Sequence, residues 1–266
     1  MSATFDFSGK RAFVFGGTSG INLGIARAFA AAGADVAVAS RSQEKVDAAV
    51  AELAALGSHA AGYSLDVRDV DAVRAALAQH QEGAPPLDVL VSGAAGNFPA
   101  FANDMSPNGF KAVVDIDLLG SFHVLHSAWR WLARPGACVI NISAPQAFLA
   151  MPMQSHVCAA KAGVDMLTRT LALEWGPAGV RVNSIVPGPI ADTEGFRRLL
   201  PNERIAERTR QSVPLQRFGA TADIGQAALF LASDAASYIS GAVIPVDGGW
   251  SVAGASAAAL AMAAPK

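Results

Sequence analysis

Short apolar runs rich in β-branched residues alternate with longer amphipathic stretches along almost the whole chain. The short runs have the length and composition of β-strands. They are Arg11–Phe15, Asp35–Ala39, Gly62–Val67, Leu87–Ser92, Cys138–Ile142, Arg181–Ile185 and Val243–Val246. Their nearly continuous apolar character is typical of strands in a parallel sheet that is covered on both faces.

The stretches between these runs have the periodicity of amphipathic helices. They are Ile21–Ala32, Gln43–Leu56, Val70–Gln81, Pro107–Leu132, Ser155–Trp175 and Ala222–Ala232. The alternation predicts an α/β fold, a Rossmann-like doubly wound parallel sheet of about seven strands with helices on both faces. Since no change in composition divides the chain, we interpret residues 1–266 as a single domain.

One segment departs from the alternation. Pro189–Pro214 is a long insertion rich in Arg and Glu that follows the sixth predicted strand. Ligands of open α/β sheets bind beyond the carboxyl ends of the strands. We therefore interpret residues 189–214 as a lid over the substrate, and the alternative is a solvated surface helix.

Composition and charge limit the kinds of binding partner that we expect for the chain. The formal net charge is −2, from 20 basic and 22 acidic residues, and no long basic run supports binding to nucleic acid or to a membrane surface. No run approaches the ~20 strongly apolar residues that span a bilayer. The two cysteines, Cys138 and Cys158, lie in no metal-ligand pattern, so we expect no bound metal. The start of the chain does not resemble a signal peptide, and we expect a cytoplasmic protein.

A glycine-rich turn follows the first predicted strand and opens the first predicted helix. Glycines allow the backbone to turn tightly and approach a pyrophosphate, which the N-terminus of the helix then holds. The context strand–turn–helix–strand is the one that dinucleotide binding requires. The candidate cofactor-binding residues here are Gly16, Thr18, Ser19, Gly20 and Ile21.

The second predicted strand ends at Ser40-Arg41 and not at an acidic residue. An Asp or Glu at this point accepts hydrogen bonds from a free ribose 2′-hydroxyl and repels a 2′-phosphate. Arg41 can instead form charge-assisted hydrogen bonds with that phosphate. The sequence therefore predicts NADP(H) as the cofactor.

With these motifs, nearly the whole chain resembles the short-chain dehydrogenase/reductase family. Besides the glycine turn, the matching positions are Asp66-Val67, the stretch Ser92–Gly96, Lys161, and Pro187–Ile190 with Thr193. In that family Asp66 and Val67 would hold the adenine, and the loop from Pro187 to Thr193 would hold the nicotinamide carboxamide. The resemblance thus adds Asp66, Val67, Ala94, Lys161, Pro187, Gly188, Ile190 and Thr193 to the cofactor-binding set.

The chain departs from the family pattern at the residues that normally act on the substrate oxygen, including the acid that exchanges a proton with it. Val157 stands where the family has a tyrosine four residues before the lysine, and Ala144 stands at the serine position. Interconversion of an alcohol and a ketone needs a proton on oxygen, which a positioned acid supplies. Reduction of a conjugated C=C bond instead needs stabilisation of charge on a thioester oxygen, and the proton goes to carbon. Lys161 without the tyrosine fits the second reaction better.

Finer similarities carry the resemblance to the 2,4-dienoyl-CoA reductase branch, especially its peroxisomal type. They are Ala94–Phe98, Asp115–Asp117, His156, Leu173–Gly176, and Pro187–Ile190 with Thr193–Gly195. The resemblance implies NADPH-dependent reduction of a 2,4-dienoyl-CoA, in fatty acid β-oxidation, with Asp117 and Lys161 as the catalytic residues. An aspartate and a lysine at these positions would orient a proton-donating water. Ser143 and His156 are candidates for catalytic support.

The resemblance also implies contacts with an acyl-CoA substrate and an assembly. The candidate substrate-binding residues are Arg68, Phe98, Ser106, Asn108 and Arg198. We expect a homotetramer built from the long helices Pro107–Leu132 and Ser155–Trp175. Asn22 stands where the branch usually has a glycine, which alters the phosphate turn. The chain ends in Ala-Pro-Lys and not in a Ser-Lys-Leu-like address, which favours the cytoplasm over the peroxisome.

Two alternatives to an NADP(H)-dependent enoyl- or dienoyl-CoA reductase stay open at this point. One is a short-chain carbonyl reductase or alcohol dehydrogenase that uses a substitute acid, such as His156 or Asp117. The other is a non-catalytic NADP(H)-binding sensor or scaffold.

Overall fold

The computed structural model of the chain describes residues 4–193, 196–197 and 202–253. Within these residues seven parallel strands form one sheet, in the order β3-β2-β1-β4-β5-β6-β7. The strands are β1 (Arg11–Phe15), β2 (Asp35–Ser40), β3 (Ala60–Ser64), β4 (Val89–Ser92), β5 (Cys138–Ile142), β6 (Arg181–Pro187) and β7 (Val243–Val246). This architecture confirms the predicted doubly wound fold.

The helices that connect the strands cover both faces of the sheet. They are α1 (Gly20–Ala31), α2 (Gln43–Ala55), α3 (Val70–Gln81), α4 (Pro107–Val114), α5 (Gly120–Ala128), α6 (Ser155–Trp175), α7 (Glu203–Ser212), α8 (Thr221–Ala232) and α9 (Trp250–Ala253). No helix in the described part of the chain is both long and apolar enough to pass through a lipid bilayer.

The hydrophobic core consists of two layers because successive strand residues point to opposite faces. On β1, Val14 packs with α1 and α8, whereas Phe13 and Phe15 pack with α3, α5 and α6. Both sets of strand residues are fully buried. This two-sided burial is the reason for the continuous apolar runs in the sequence.

Helices α1 and α8 approach closely at two glycines. A Cβ on Gly24 would lie 2.5 Å from the Thr221 Cβ, and one on Gly225 would lie 2.8 Å from the Ala28 Cβ. Only glycine permits this contact without a shift of one helix. The contact fixes α1, whose first turn follows the glycine-rich loop.

The predicted boundaries were wrong at the third strand. β3 begins at Ala60 and ends at Ser64, because its register pairs Val36 with Ala60 and Ser40 with Ser64. Asp66 and Val67, predicted as strand residues, therefore lie beyond the strand, and Asp66 accepts a backbone hydrogen bond from Asp69. The early end of β3 brings Asp66 to the carboxyl edge of the sheet.

The predicted helix Pro107–Leu132 is not continuous. α4 leads into one π-helical turn, Asp115–Leu119, and then into α5, which ends at Ala128. A short 3₁₀ turn, Trp129–Trp131, follows. A π turn contains one residue more than regular α-helix and changes the direction of the side chains within it, and such turns are frequent at functional sites.

A cluster of polar side chains lies at the opposite, amino-terminal edge of the sheet. Arg11, which is 8% exposed, contacts the His80 Nε2 at 2.9 Å, and the His80 Nδ1 lies 3.2 Å from the Tyr63 hydroxyl. Because a guanidinium can only donate, the Nε2 accepts, and the neutral ring carries its proton on Nδ1. Burial first, and the Arg11 charge second, lower the pKa of His80 to about 4.

Candidate active site

A groove of about 720 Å³ follows the carboxyl edge of the sheet. Residues that come directly after β1, β2, β3, β4, β5 and β6 line it. The strand order reverses between β1 and β4. In open α/β sheets a ligand binds in the crevice at such a reversal, so the fold itself places a site here.

The turn after β1 has the geometry of a phosphate cradle. Gly16 has φ +77°, and a Cβ on it would lie 2.9 Å from the Ala94 backbone nitrogen. Ser19 precedes α1 as its N-cap, but its side chain makes no capping hydrogen bond. The backbone N–H groups of the first turn of α1 therefore point at the groove without a side-chain partner there. This arrangement fits the pyrophosphate of a dinucleotide.

The remaining residues of the turn support this cradle. The Thr18 hydroxyl donates to the Ser40 hydroxyl at 2.8 Å and so links the turn to the end of β2. Gly20 has φ +53°, and a Cβ on it would lie 3.6 Å from the Thr193 Cγ2. Thr18, Gly20 and Ile21 all line the groove. The five predicted residues of the turn are thus brought together in one wall.

At the end of β2 the groove is basic. Arg41 and Lys45 are exposed, line the groove, and make no ion pair with any described residue. An anionic group bound at this end would meet two cations and no neighbouring acid on β2.

Asp66 and Arg68 were predicted for different ligands, but their side chains contact each other. The Arg68 Nη2 lies 2.6 Å from the Asp66 Oδ2, and the Arg68 Nε donates to the same carboxylate at 3.0 Å. These hydrogen bonds hold the pKa of the Asp66 carboxyl below its usual value. Asp66 and Val67 line the groove.

The loop after β6 forms the opposite wall of the groove. Pro187, Gly188, Ile190 and Thr193 all line it, and Ile190 is buried. The Thr193 hydroxyl donates to the Ile190 carbonyl at 3.0 Å and accepts from the Phe196 backbone N–H at 3.1 Å. Thr193 thus fixes the shape of the loop with its own side chain.

The predicted catalytic pair is formed inside the groove. The Lys161 Nζ lies 3.3 Å from the Asp117 Oδ2, and the two side chains are only 6% and 1% exposed. The Lys161 Nζ also donates to the Ile142 carbonyl at 2.9 Å. The Asp117 Oδ1 accepts from the Gly96 backbone N–H at 2.7 Å. Each charge therefore has an opposite charge and a backbone partner, which a buried ion pair requires.

The π turn between α4 and α5 places Asp117. Asp117 is the buried member of this turn, and its own carbonyl accepts a hydrogen bond from the Ser121 hydroxyl at 2.6 Å. Lys161 lies on the buried face of α6. Two different helices thus hold the two charges in contact.

Ala144 and Val157, the replaced serine and tyrosine positions, line the groove next to Lys161. Ser143 also lines it and is buried. Burial raises the pKa of the Asp165 carboxyl, and the hydroxyls of Ser143 and Ser184 oppose this shift. The Ser143 hydroxyl is therefore close to a second buried carboxylate as well as to the groove.

His156 lies behind the groove wall. It is fully buried, and neither ring nitrogen has a hydrogen-bond partner of normal geometry among the described residues. Its ring packs against Phe98, a groove residue, with the centroids 4.6 Å apart. Burial lowers the pKa of His156 and so favours the neutral ring. The structure thus places His156 beneath Phe98 and not in the lining itself.

Four of the five predicted substrate residues lie outside the described lining of the groove or outside the described residues. Ser106 caps α4 by accepting the Gly109 N–H at 3.0 Å, and both Ser106 and Asn108 are exposed residues that are absent from the described lining. Arg198 lies outside the described residues. Arg68 is absent from the lining as well, so among the described members of the predicted substrate set only Phe98 lines the groove.

Sequence reasoning missed a pair of glutamines in the groove. The Gln146 Nε2 donates to the Gln154 Oε1 at 2.7 Å, and both side chains are buried. The Gln154 Nε2 lies 3.3 Å from the Met151 Sδ, a weak acceptor. Gln146 follows the vacant serine position by two residues, and Gln154 precedes α6. Their position beside Ala144 and Lys161 was the available signal.

Comparison with known proteins agrees with this geometry. Residues 16–251 match the family described as "Enoyl-(Acyl carrier protein) reductase". Over 251 residues the chain is 43% identical to an Arabidopsis thaliana peroxisomal 2,4-dienoyl-CoA reductase named as (3E)-enoyl-CoA-producing, covering 91% of this chain and 84% of that protein.

A bacterial relative and a solved complex extend the comparison. The Bacillus subtilis protein named as a probable 2,4-dienoyl-CoA reductase, (2E)-enoyl-CoA-producing, is 39% identical, covering 90% of this chain and 96% of its own. The Pseudomonas aeruginosa RhlG/NADP active-site complex superposes on this chain with a TM-score of 0.86 at 27% identity. The superposition covers 94% of this chain and 100% of that one.

Proposed function

The chain belongs to the short-chain dehydrogenase/reductase family and is therefore an oxidoreductase, and on this premise we propose that it reduces the activated C=C bond of a 2,4-dienoyl-CoA with NADPH. The relatives that are about 40% identical over nine-tenths of the chain are named for this activity.

One observation carries the proposal: a buried Asp117–Lys161 pair opens onto a groove that has no hydroxyl at either expected position. Val157 and Ala144 supply no proton to a substrate oxygen. Lys161 supplies a fixed positive charge, held by Asp117 and the Ile142 carbonyl. This set of groups suits a reaction in which negative charge develops on oxygen but the proton is delivered to carbon.

Lys161 and Asp117 would then have separate roles in the reaction. A bound NADPH supplies the hydride that adds to the substrate. Lys161 stabilises the charge that develops on the thioester oxygen, because a cation that is already in place in a water-poor site needs no reorganisation. Asp117 orients the Lys161 ammonium through their ion pair, and with it would hold the water that protonates carbon.

The cofactor form is assigned from the end of β2. Arg41 and Lys45 are two exposed cations without described ion-pair partners, and they lie where the ribose phosphate of NADP(H) would bind. The turn Gly16–Ile21 would hold the pyrophosphate, and Asp66 and Val67 would contact the adenine. Ala94, Lys161, and the loop of Pro187, Gly188, Ile190 and Thr193 would hold the nicotinamide half.

The acyl-CoA would enter beside Phe98 and beneath residues 189–214, which we propose act as a lid. α7 lies in this segment, and Thr209 on it lines the groove. Arg68 would bind the CoA phosphates at the rim of the groove, since about half of its side chain remains exposed. Arg198, outside the described residues, is proposed for the same role from the lid.

We further propose a homotetramer that uses α4–α5 and α6. Leu119 at the end of the π turn, Phe122 on α5, and Met166 and Leu173 on α6 are between 44% and 80% exposed. Exposed apolar side chains on neighbouring elements are typical of a protein interface.

The test is consumption of NADPH with trans-2,trans-4-decadienoyl-CoA, compared with a monounsaturated enoyl-CoA and with a panel of simple ketones. We expect turnover of the dienoyl-CoA and none of the ketones. Turnover of ketones alone would show that the enzyme is a carbonyl reductase with a substitute acid. NADPH binding without turnover of any of these compounds would overturn the proposed reaction while leaving the cofactor assignment in place.

A further inference from the structure

Asn22 occupies an unusual position between the phosphate turn and the end of β4. It lies in the first turn of α1, and its side-chain Nδ2 donates to the Gly93 carbonyl at 2.7 Å. Gly93 is the residue after β4, 71 positions further along the chain. Both residues line the groove.

The fit of this side chain depends on glycine at position 93. A Cβ on Gly93 would lie 2.3 Å from the Asn22 Oδ1 and 2.5 Å from its Nδ2. On the other side, a Cβ on Gly16 would lie 3.1 Å from the same Nδ2. The Asn22 amide therefore fills a space that the two glycines, Gly16 and Gly93, leave open.

The segment that begins at Gly93 leads directly to the catalytic pair. Gly93 donates its backbone N–H to the Phe15 carbonyl at 3.1 Å, and three residues later Gly96 donates to the Asp117 Oδ1 at 2.7 Å. The segment Gly93–Gly96 is thus held at one end by Asn22 and β1, and at the other end by Asp117. Ala94, between these ends, touches the space above Gly16.

We propose that Asn22 is a positioning residue that couples the cofactor turn to Asp117 through the segment Gly93–Gly96. The expected effect on turnover rests on the proposed function, whereas the contacts between Asn22, the segment and Asp117 do not. The hydrogen bond from the Asn22 Nδ2 to the Gly93 carbonyl joins the phosphate turn to the segment. If this bond is lost and the segment moves, the Gly96 N–H moves away from the Asp117 carboxylate to which it donates. Misplacement of a catalytic group by about 1 Å can lower a rate by two orders of magnitude.

The experiment is a double-mutant cycle of Asn22→Ala, Gly93→Ala and the variant carrying both, with Gly176→Ala as the matched glycine control. A Cβ at Gly176 meets no atom within 4 Å. In Gly93→Ala the new methyl group displaces the Asn22 amide, whereas in the double variant the amide is gone. We expect each single variant to lose about tenfold in kcat, and the double variant to be no slower than Asn22→Ala alone.

Two further measurements and the control variant separate positioning from a general loss of stability. Hydrogen exchange of peptides covering residues 93–98 should be faster in Asn22→Ala than in the wild-type protein, while peptides from β5 and β6 are unchanged. The Kd of NADPH should change by less than about threefold, since the backbone cradle is retained. In Gly176→Ala all readings should equal those of the wild type.

Two outcomes would overturn the proposal. If the losses of the two single variants multiply in the double variant, Asn22 and Gly93 do not act together. If Asn22→Ala lowers only the Tm and leaves kcat and exchange at residues 93–98 unchanged, the side chain is merely structural. Since exchange is measured without substrate, failure of the dienoyl-CoA reaction in the wild type would be recognised separately.

Discussion

Asp117 and Lys161 are two charges that the fold has removed almost completely from solvent. Such a pair gains its Coulomb energy at the cost of desolvation, and removal of one partner leaves the other charge uncompensated. The Gly96 N–H and the Ile142 carbonyl reduce this cost, because each gives one of the two charges a backbone hydrogen bond. At this site the structure therefore holds an ion-paired lysine at a depth where most lysines are absent.

Replacement of Asp117 by asparagine is the sharpest test of the pair. The amide keeps the shape and an acceptor for Gly96 but removes the charge that faces Lys161. We expect kcat for dienoyl-CoA reduction to fall by about 10²–10³-fold, because the cation and the water lose their orientation. NADPH binding, measured by fluorescence titration, should change by less than about threefold.

Asp115→Asn is the matched control for this substitution. Asp115 begins the same π turn, but its carboxylate pairs with the exposed Lys111. Equal losses of activity in Asp115→Asn and Asp117→Asn would show that the effect comes from the turn and not from the buried charge.

Arg41 carries the prediction on cofactor choice. In Arg41→Ser we expect the Kd of NADPH to rise by about tenfold or more, since one charge-assisted hydrogen bond to the phosphate is lost. The Kd of NADH should stay nearly unchanged, so the ratio of the two constants is the measurement. Arg74→Ser, which removes an exposed arginine paired with Asp71 on α3, should leave the ratio at its wild-type value.

The residues of the site differ in how far the sequence could reveal them. Lys161, Asp117 and the glycine turn could be predicted because each stands in a local motif. The contact of Asn22 with Gly93 joins residues 71 positions apart, and no local pattern contains that information. The hydrogen bond between Gln146 and Gln154 depends on the path of the chain between β5 and α6, which periodicity does not specify.

At the scale of elements, the break between α4 and α5 is the feature that serves the site. The residues from 107 to 128 have a helical pattern throughout, because a π turn adds one residue without removing the apolar face. Sequence periodicity therefore predicted one helix where the structure has two and a π turn. The additional residue is what sets the direction of the Asp117 side chain.

Deletion of Leu119 tests this role of the π turn. Leu119 ends the turn and is 44% exposed, so its loss removes little packing. We expect the shortened segment to form regular α-helix, with the circular dichroism spectrum retained and kcat lowered by at least about tenfold because Asp117 is turned away. Leu119→Ala, which keeps the residue count, should retain most of the activity, and equal inactivation of both variants would contradict the prediction.

The contact of α1 with α8 gives a prediction of stability. In Gly24→Ala the new Cβ would lie 2.5 Å from the Thr221 Cβ, both atoms being attached directly to backbone, so the helices must separate. We expect the free energy of unfolding in urea to fall by about 1–3 kcal/mol. Gly176→Ala is again the control, and a Gly24→Ala protein as stable as that control would show that the helices shift freely.

For the molecule as a whole, parallel strand order explains why the site is where it is. All seven described strands end at one edge, so the loops after β1 to β6 meet there although they are far apart in sequence. The class of fold could be predicted because burial on both faces makes every strand apolar. The exact end of β3 could not, since it is set by pairing with β2 and not by the residues themselves.

The polar cluster at the opposite edge of the sheet predicts how stability depends on pH. His80 has a pKa of about 4 in the folded protein and an ordinary value of about 6.5 when unfolded. Between about pH 6.5 and about pH 4, His80 therefore binds a proton in the unfolded chain but not in the folded protein. The free energy of unfolding falls as the pH drops through this range. After allowance for partial exposure, we expect a loss of about 1–2 kcal/mol from this group between about pH 7.5 and about pH 4.5.

Urea unfolding of the wild type and of His80→Gln at several pH values measures this contribution. The difference in unfolding free energy between the two proteins should shrink steadily as the pH is lowered from 7 to 5. His156, whose pKa is also lowered, is present in both proteins and cancels in the comparison. A difference that is independent of pH would mean that the pKa of His80 is the same in the folded and the unfolded protein.

The buried pair of Asp117 and Lys161 also constrains how descendants of this chain can change. A single substitution of either residue passes through a protein that holds one unpaired charge in its interior, at a cost of about 3–5 kcal/mol. That is a large part of the stability of an ordinary domain. A lineage can therefore abandon this chemistry only by replacing both residues together, or by first acquiring stability elsewhere, and the pair is inherited as one unit.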